Sequence, residues 1–305
     1  MPQLADGQVP VCFFLSGAPP DVVTEFRLRK REDCNVVVSV RLAGKNREVE
    51  IAWSSVVLLA PDNITPNTTP ADPYRAATSC VQSQADAITK LAADTWPGTA
   101  RASAFAGNVQ RQIREMKRKE RPGSLDALGI LQSGESGICT ANANLAAALM
   151  RSKGIACRSI AVVPTISQRL EMHRIVEFHE NGRWIAFDPS SVQTDIPARP
   201  WQNVIMAKTT ISDEQLAMEP RMGFMVGVPY GQEIEMLTSG VSLSGQDFFW
   251  TIAKPLAEFE PTEEAIRLAA EAWNRYLETG KHTQGQLKAA SARTAAELVG
   301  ALRMR

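Results

Sequence analysis

Cys139, His173 and Asp188 stand in the order in which a thiol nucleophile, its base and the carboxylate that orients the base are needed. Ser136, between Gly134 and Gly137, reads as an N-cap, and Cys139 falls in the first turn of the helix that follows. Ala141, Leu145, Ala148 and Leu149 form its inward stripe, and Lys153-Gly154 is its stop. A thiol at that place sits in the positive end of the helix dipole, which favours thiolate. First-turn N–H groups without intrahelical partners also point at whatever the sulfur attacks and can receive an oxyanion. Taken alone, Cys139 reads as a small buried hydrophobe rather than a nucleophile.

Register places the other two residues. Residues 172–180 and 183–188 are both strand-like, and Asn181-Gly182 between them is the signature of a two-residue type I′ turn. That turn pairs Glu180 with Arg183, which sets Ile175 opposite Asp188 and His173 opposite Ser190. His173 and Asp188 are then diagonal neighbours on one face, roughly 7–8 Å apart at the backbone. His179 pairs with Trp184 at the turn end and reads as a structural or surface histidine, while His282 reads as a loop residue near a helix start.

A cysteine in Gly-x-Cys opening a helix is followed by LxxALxRxxGIxCR, HxxVEF, a turn and GRWxxFDP. This series, over about residues 124–191, resembles the core of the transglutaminase-like superfamily. The resemblance implies an α+β, papain-like fold in which a nucleophile helix packs on an antiparallel sheet. It makes Cys139 the nucleophile, His173 the base and general acid, and Asp188 the residue that orients the imidazole. Relatives carry an aromatic residue where Ile175 stands. In animal transglutaminases a tryptophan upstream of the cysteine serves the oxyanion, for which Trp96 is the candidate here; Gln132 is the papain-style alternative. Those enzymes also use calcium, but no clustered carboxylates suggest such a site, and no metal or cofactor is expected.

The implied chemistry is acyl transfer from an amide, a peptide bond or a glutamine side chain, through a thioester on Cys139. With no calcium site and no secretion signal, hydrolysis by a protease, amidase or deamidase is preferred to cross-linking by a protein-glutamine transglutaminase. A non-catalytic binding module on the same scaffold is the reading from another class. Arylamine N-acetyltransferases also use Cys, His and Asp, but they place Arg-Gly-Gly before the cysteine and Val-Gly-Phe-Gly after the aspartate. Here Glu135-Ser136-Gly137 and Pro189-Ser190-Ser191 occupy those places, so this is the weaker comparison.

The remaining elements must carry that centre. At 305 residues the chain has room for one large domain or two modest ones. Residues 1–62 read as a small antiparallel β domain, with Gly44-Lys45-Asn46 turning between its last two runs. Residues 61–73 are Pro, Asn and Thr rich and read as a linker. A catalytic domain follows over 74–255. It opens with an Ala-rich helix over 74–95 and a second helix whose Phe105, Val109, Ile113 and Met116 share a face. Ser124 reads as the cap of a short third helix, and 158–163 as a strand. Residues 256–305 read as a C-terminal helical extension, with Ile266, Trp273 and Leu277 inward on its first helix.

Composition limits the partners. Basic and acidic residues number 33 each, so no global field draws the chain to nucleic acid or to a membrane surface. The basic run at 117–121 reads as a solvated helix end. No apolar run approaches the roughly 20 residues of a bilayer span. The first residues lack a basic n-region and an apolar core, which points to the cytoplasm. Five cysteines without CxxC spacing argue against a disulfide framework or a structural metal. The expected partner is a protein or peptide substrate, with the β domain and C-terminal helices as the places for recruitment or self-association.

Overall fold

The computed structural model describes residues 70–96, 98, 101–119, 123–164, 173–192, 196 and 203–215, together with Ala5, Asn35 and the strands named next. The chain divides into two compact units, one gathering 1–65, 165–171 and 224–305, the other 66–164 and 172–223.

In the first unit, β1 (Gln8–Gly17) pairs antiparallel with β4 (Ala52–Leu59). β2 (Val23–Lys30) pairs antiparallel with β3 (Val36–Leu42), and Lys281–His282 adds two residues to the other edge of β2. Of the strands read as successive neighbours in the sequence, β3 therefore finds its partner in β2 and β4 in β1. His282, expected in a loop, is part of a strand. The expected helices at 256–305 otherwise lie outside the described residues.

The second unit carries the site. A 3-10 helix over Asp72–Arg75 precedes α1 (Asp86–Thr95), where the sequence suggested one continuous helix. The interruption has a local cause. The Thr78 hydroxyl accepts from the Val81 N–H at 3.2 Å and donates to Glu214, and the Ser79 hydroxyl donates to the Glu214 carbonyl. Hydroxyls that find such partners compete with helix, and alanine's propensity does not override them. α2 (Ala102–Glu115) buries Phe105, Val109 and Ile113 along one face, each contributing roughly 1.5–3 kcal/mol. β5 (Lys117–Arg118) leaves α2 in extended form and pairs in parallel with β6 (Glu135–Ser136), so the basic run is not a helix end. Between them, α3 (Ala127–Ser133) is capped by Asp126, whose Oδ1 accepts from the Gly129 N–H at 2.9 Å. Ser124, expected as that cap, bonds to the Asp126 carboxylate instead.

α4 (Cys139–Ser152) is the axle of the unit, buried at every residue from Thr140 to Arg151. Small alanines let neighbours close on every side, and α1, α2 and α3 all touch it. Its N-cap is Ile138, not Ser136, and no side chain caps the helix. Behind it stands an antiparallel sheet in the order β10 (Asn203–Lys208), β7 (Cys157–Pro164), β8 (His173–Glu180), β9 (Arg183–Phe187). Cys157, Val176, Phe178 and Phe187 join the core that surrounds α4. With two-residue periodicity Trp184 then points the other way, and it packs there with Tyr74 and Ala156. Arg158 enters that second cluster, 4.2 Å from the Trp184 ring centre and 2.6 Å from Glu177 Oε1. α5 (Ile211–Gln215) closes the unit, and its Glu214 holds the buried Arg151 at 2.7 and 2.9 Å. No described helix is long and apolar enough to cross a membrane.

Candidate active site

The β8–β9 turn has the expected chemistry: Asn181 at φ 52° and Gly182 at φ 80° form the link, and Glu180 pairs with Arg183. The ladder continues through His179–Trp184 and Phe178–Ile185 to Val176–Phe187, the register read from the sequence. Asp188 follows directly on β9, and His173 opens β8. Their side chains meet, with His173 Nε2 2.8 Å from Asp188 Oδ2.

The third residue arrives on the helix. Cys139 is half-buried, and its sulfur is hydrogen-bonded to His173. With Nε2 committed to Asp188, Nδ1 is the ring nitrogen left to face the sulfur. Burial raises the thiol pKa, but the bond to His173 and its charge outweigh burial, helped by the Arg174 backbone N–H and guanidinium, and hold the thiol below its usual range. Burial likewise disfavours the charged imidazole. Its bonds to Asp188 and Cys139 reverse that and push His173 up to about 10. The pair therefore favours thiolate and imidazolium together.

Asp188 is fixed from several sides. The Ser190 N–H donates to its Oδ1 at 2.8 Å, and Gln110 Nε2 donates to its backbone carbonyl at 2.8 Å. Asn142, one turn into α4, donates to the Ser190 hydroxyl at 3.0 Å and so ties α4 to the turn that holds Asp188. Beneath the pair, buried Arg174 donates to Ser159 Oγ at 3.0 Å and to Thr209 Oγ1 at 2.9 Å. None of Gln110, Asn142, Arg174 and Ser190 was singled out from the sequence. Asn142 is one of two asparagines, with Asn144, on a helix rich in alanine and leucine.

The first intrahelical bond of α4 is Asn142 N–H to the Ile138 carbonyl. The N–H groups of Cys139, Thr140 and Ala141 precede it and have no intrahelical partner. Trp96 does not share this place. Its ring lies 4.9 Å from that of Phe105, with Lys153 Nζ 5.9 Å from its centre. Lys153 caps the C-terminus of a helix of 14 residues, about 20 Å long, so Trp96 belongs to the opposite end from Cys139. Gln132 is exposed in the last turn of α3, and no hydrogen bond joins it to the site among the described residues. His179 stays at the turn end, 5.5 Å from the Trp184 ring. Among the described residues no group of three or more His, Cys, Asp or Glu could hold a metal ion.

Residues 82–189 match the family model of the transglutaminase-like superfamily. The core is transglutaminase-like. The matched stretch holds α1 to α4, β7 and the β8–β9 hairpin, and ends one residue past Asp188. Among solved structures, a protein from Cytophaga hutchinsonii, whose given name proposes a cysteine protease, shares the fold at a TM-score of 0.51 and 17% identity. That likeness covers 68% of this chain and 73% of the other. A second structure, from Parabacteroides distasonis and named in like manner for a protease, covers 70% of this chain and 47% of its own at 14% identity, with a TM-score of 0.30. The likeness to the first is one of fold. No curated protein matches the chain. The transglutaminase-like core, with α4 packed against an antiparallel sheet, is the α+β arrangement that the motifs implied.

Proposed function

We propose that the protein is a cysteine-dependent enzyme that cleaves an amide by acyl transfer to Cys139, with water as the preferred acceptor. One observation carries the reading: the Cys139 sulfur, at an uncapped helix N-terminus, is bonded to an imidazole whose Nε2 is held by Asp188 at 2.8 Å. The thiolate attacks the carbonyl carbon while first-turn N–H groups receive the oxyanion. As the C–N bond breaks, His173 gives its proton to the departing ammonia or amine. The imidazole then takes a proton from water, the resulting hydroxyl attacks the thioester, and the acid leaves with the thiolate restored. Asp188 holds the imidazole in position and stabilises its charge throughout.

The substrate we propose is a peptide bond or a glutamine side chain of a protein or peptide. A cytoplasmic setting suits the chain, because Cys80, Cys139 and Cys157 are all free thiols. Iodoacetamide alkylation across pH tests the nucleophile, with Cys139→Ala and His173→Ala beside the wild type. Alkylation near neutral pH no faster than that of an ordinary thiol refutes the proposal. Ammonia release from glutamine peptides and cleavage of casein then separate deamidase from protease. An added primary amine that enters the product in place of water makes the protein a transglutaminase.

A further inference from the structure

The basic run that read as a solvated helix end lies beside the nucleophile. β5 pairs Lys117 with Glu135 and Arg118 with Ser136, and Ser136 comes just before the Gly137-Ile138 step into Cys139. Paired strands lie about 4.8 Å apart and extended chain advances about 3.3 Å per residue. The Arg118 backbone is thus within about 15 Å of the Cys139 backbone, a span covered by about four or five extended residues.

The strand is fastened there. The Lys117 N–H donates to the Gly134 carbonyl at 3.2 Å and the Lys119 N–H to the Ser136 carbonyl at 2.6 Å. Gly137 makes the approach feasible, since a Cβ on it would stand 1.8 Å from the Lys119 carbonyl oxygen. All three basic side chains are exposed. Glu135 neutralises Lys119 at 3.0 Å, whereas no carboxylate among the described residues pairs with Lys117 or Arg118. Arg111 and Arg114 are exposed on the α2 turns just before, with Glu115 as the one carboxylate in between. In a chain of zero net charge this is a local excess, built on backbone that is tied to the nucleophile's own approach.

We infer that Lys117 and Arg118 form a subsite for acidic peptide, so that the preferred substrate carries carboxylate side chains within about four or five residues of the amide that Cys139 attacks. The inference rests on the acyl-transfer reading for its substrate and names the sequence context that reading leaves open. An exposed ion pair gives only a few-fold effect and is screened by salt, which sets the scale of the test.

N-Chloroacetyl peptides bearing two aspartates, two asparagines or two lysines serve as probes, because they alkylate Cys139 without needing turnover. At low ionic strength the aspartate peptide reacts about 5–10-fold faster than the lysine peptide with the wild type. The ratio falls toward one in the Lys117→Gln/Arg118→Gln variant, and also in about 0.5 M salt, where the screening length is only a few ångströms. Equal rates in the wild type, or a preference that survives both substitutions, overturn the inference. Iodoacetamide, small and neutral, decides the underlying reading separately. If it alkylates wild-type Cys139 no faster than an ordinary thiol, acyl transfer fails, while the ratio between peptides still decides the subsite.

Discussion

Asp188→Asn removes one charge and keeps the shape of the side chain. The bond it alters is the 2.8 Å contact with His173 Nε2, in a place where the two side chains are only 25% and 21% exposed. His173 stands at about 10, against an ordinary 6.5, because Asp188 and Cys139 together overcome the cost of burying its charge. A charge-assisted bond is worth about 1.5–3 kcal/mol and a neutral one about 0.5–1.5, so the substitution withdraws about 1–2 kcal/mol from the imidazolium. That is about one pH unit. A weaker imidazolium gives up its proton sooner, so the limb at which the ion pair loses the His173 proton moves down from about 10 by about one unit. Iodoacetamide rates from pH 4 to 10, with Cys139→Ala as the background, measure it. A limb within about 0.3 unit of the wild type would refute the assignment of Asp188 as the imidazole's partner. The sign of the stability effect follows from the same shift. The imidazole is raised in the folded protein, so its pairing with Asp188 contributes fully below pH 6.5 and is lost as the pH rises through about 10. The Tm gap between wild type and Asp188→Asn is therefore wide near pH 6 and narrows toward pH 10.

Gly137→Ala drives a methyl into the Lys119 carbonyl, where 1.8 Å is available, and costs on the order of 3 kcal/mol or more. Gly134→Ala meets nothing within 4 Å and bears only the penalty of its φ of +65°, about 1 kcal/mol; equal urea midpoints for the two variants contradict the packing described. Asn142→Leu cuts the tie between α4 and Ser190, and kcat falls about tenfold with KM little changed; a KM effect alone would assign Asn142 to substrate binding instead. Glu214→Ala leaves Arg151, wholly buried, without its carboxylate, and urea unfolding registers a loss of about 3–5 kcal/mol; a loss under about 1 kcal/mol shows that Arg151 is hydrated in solution.

The hairpin was legible because Asn181-Gly182 fixes a register by itself, and one fixed pair determines all the others along two regular strands. α2 was legible for the same kind of reason: Phe105, Val109 and Ile113 repeat at helical spacing and all three are buried. Where the sequence misled, a side chain had a better partner than the one its type suggests. Thr78 and Ser79 bond to Glu214 from the far end of the unit and break the helix that alanine-rich composition implied. Ser136 belongs to β6, and Asp126 takes the capping role assigned to Ser124. Trp96 was named by order along the chain, which says nothing about which end of α4 a ring will meet. Gln110, Asn142 and Ser190 escape for a related reason. Each is a single polar residue whose purpose lies in one contact across the fold, and a lone contact leaves no period to detect.

The burial of α4 from Thr140 to Arg151 has a bearing on how such a site can change. A helix enclosed on every flank cannot unravel by itself, so its amides exchange with solvent only through the largest opening motions of the unit. Nor does it offer an outward position at which a substitution could adjust the reaction without disturbing the core. Variation, natural or engineered, is pushed to the rim: to the strand at Lys117 and Arg118, to the turn at Ser190, and to the two ends of the helix. The sulfur's position is set by the core, and its surroundings are what remains open to change.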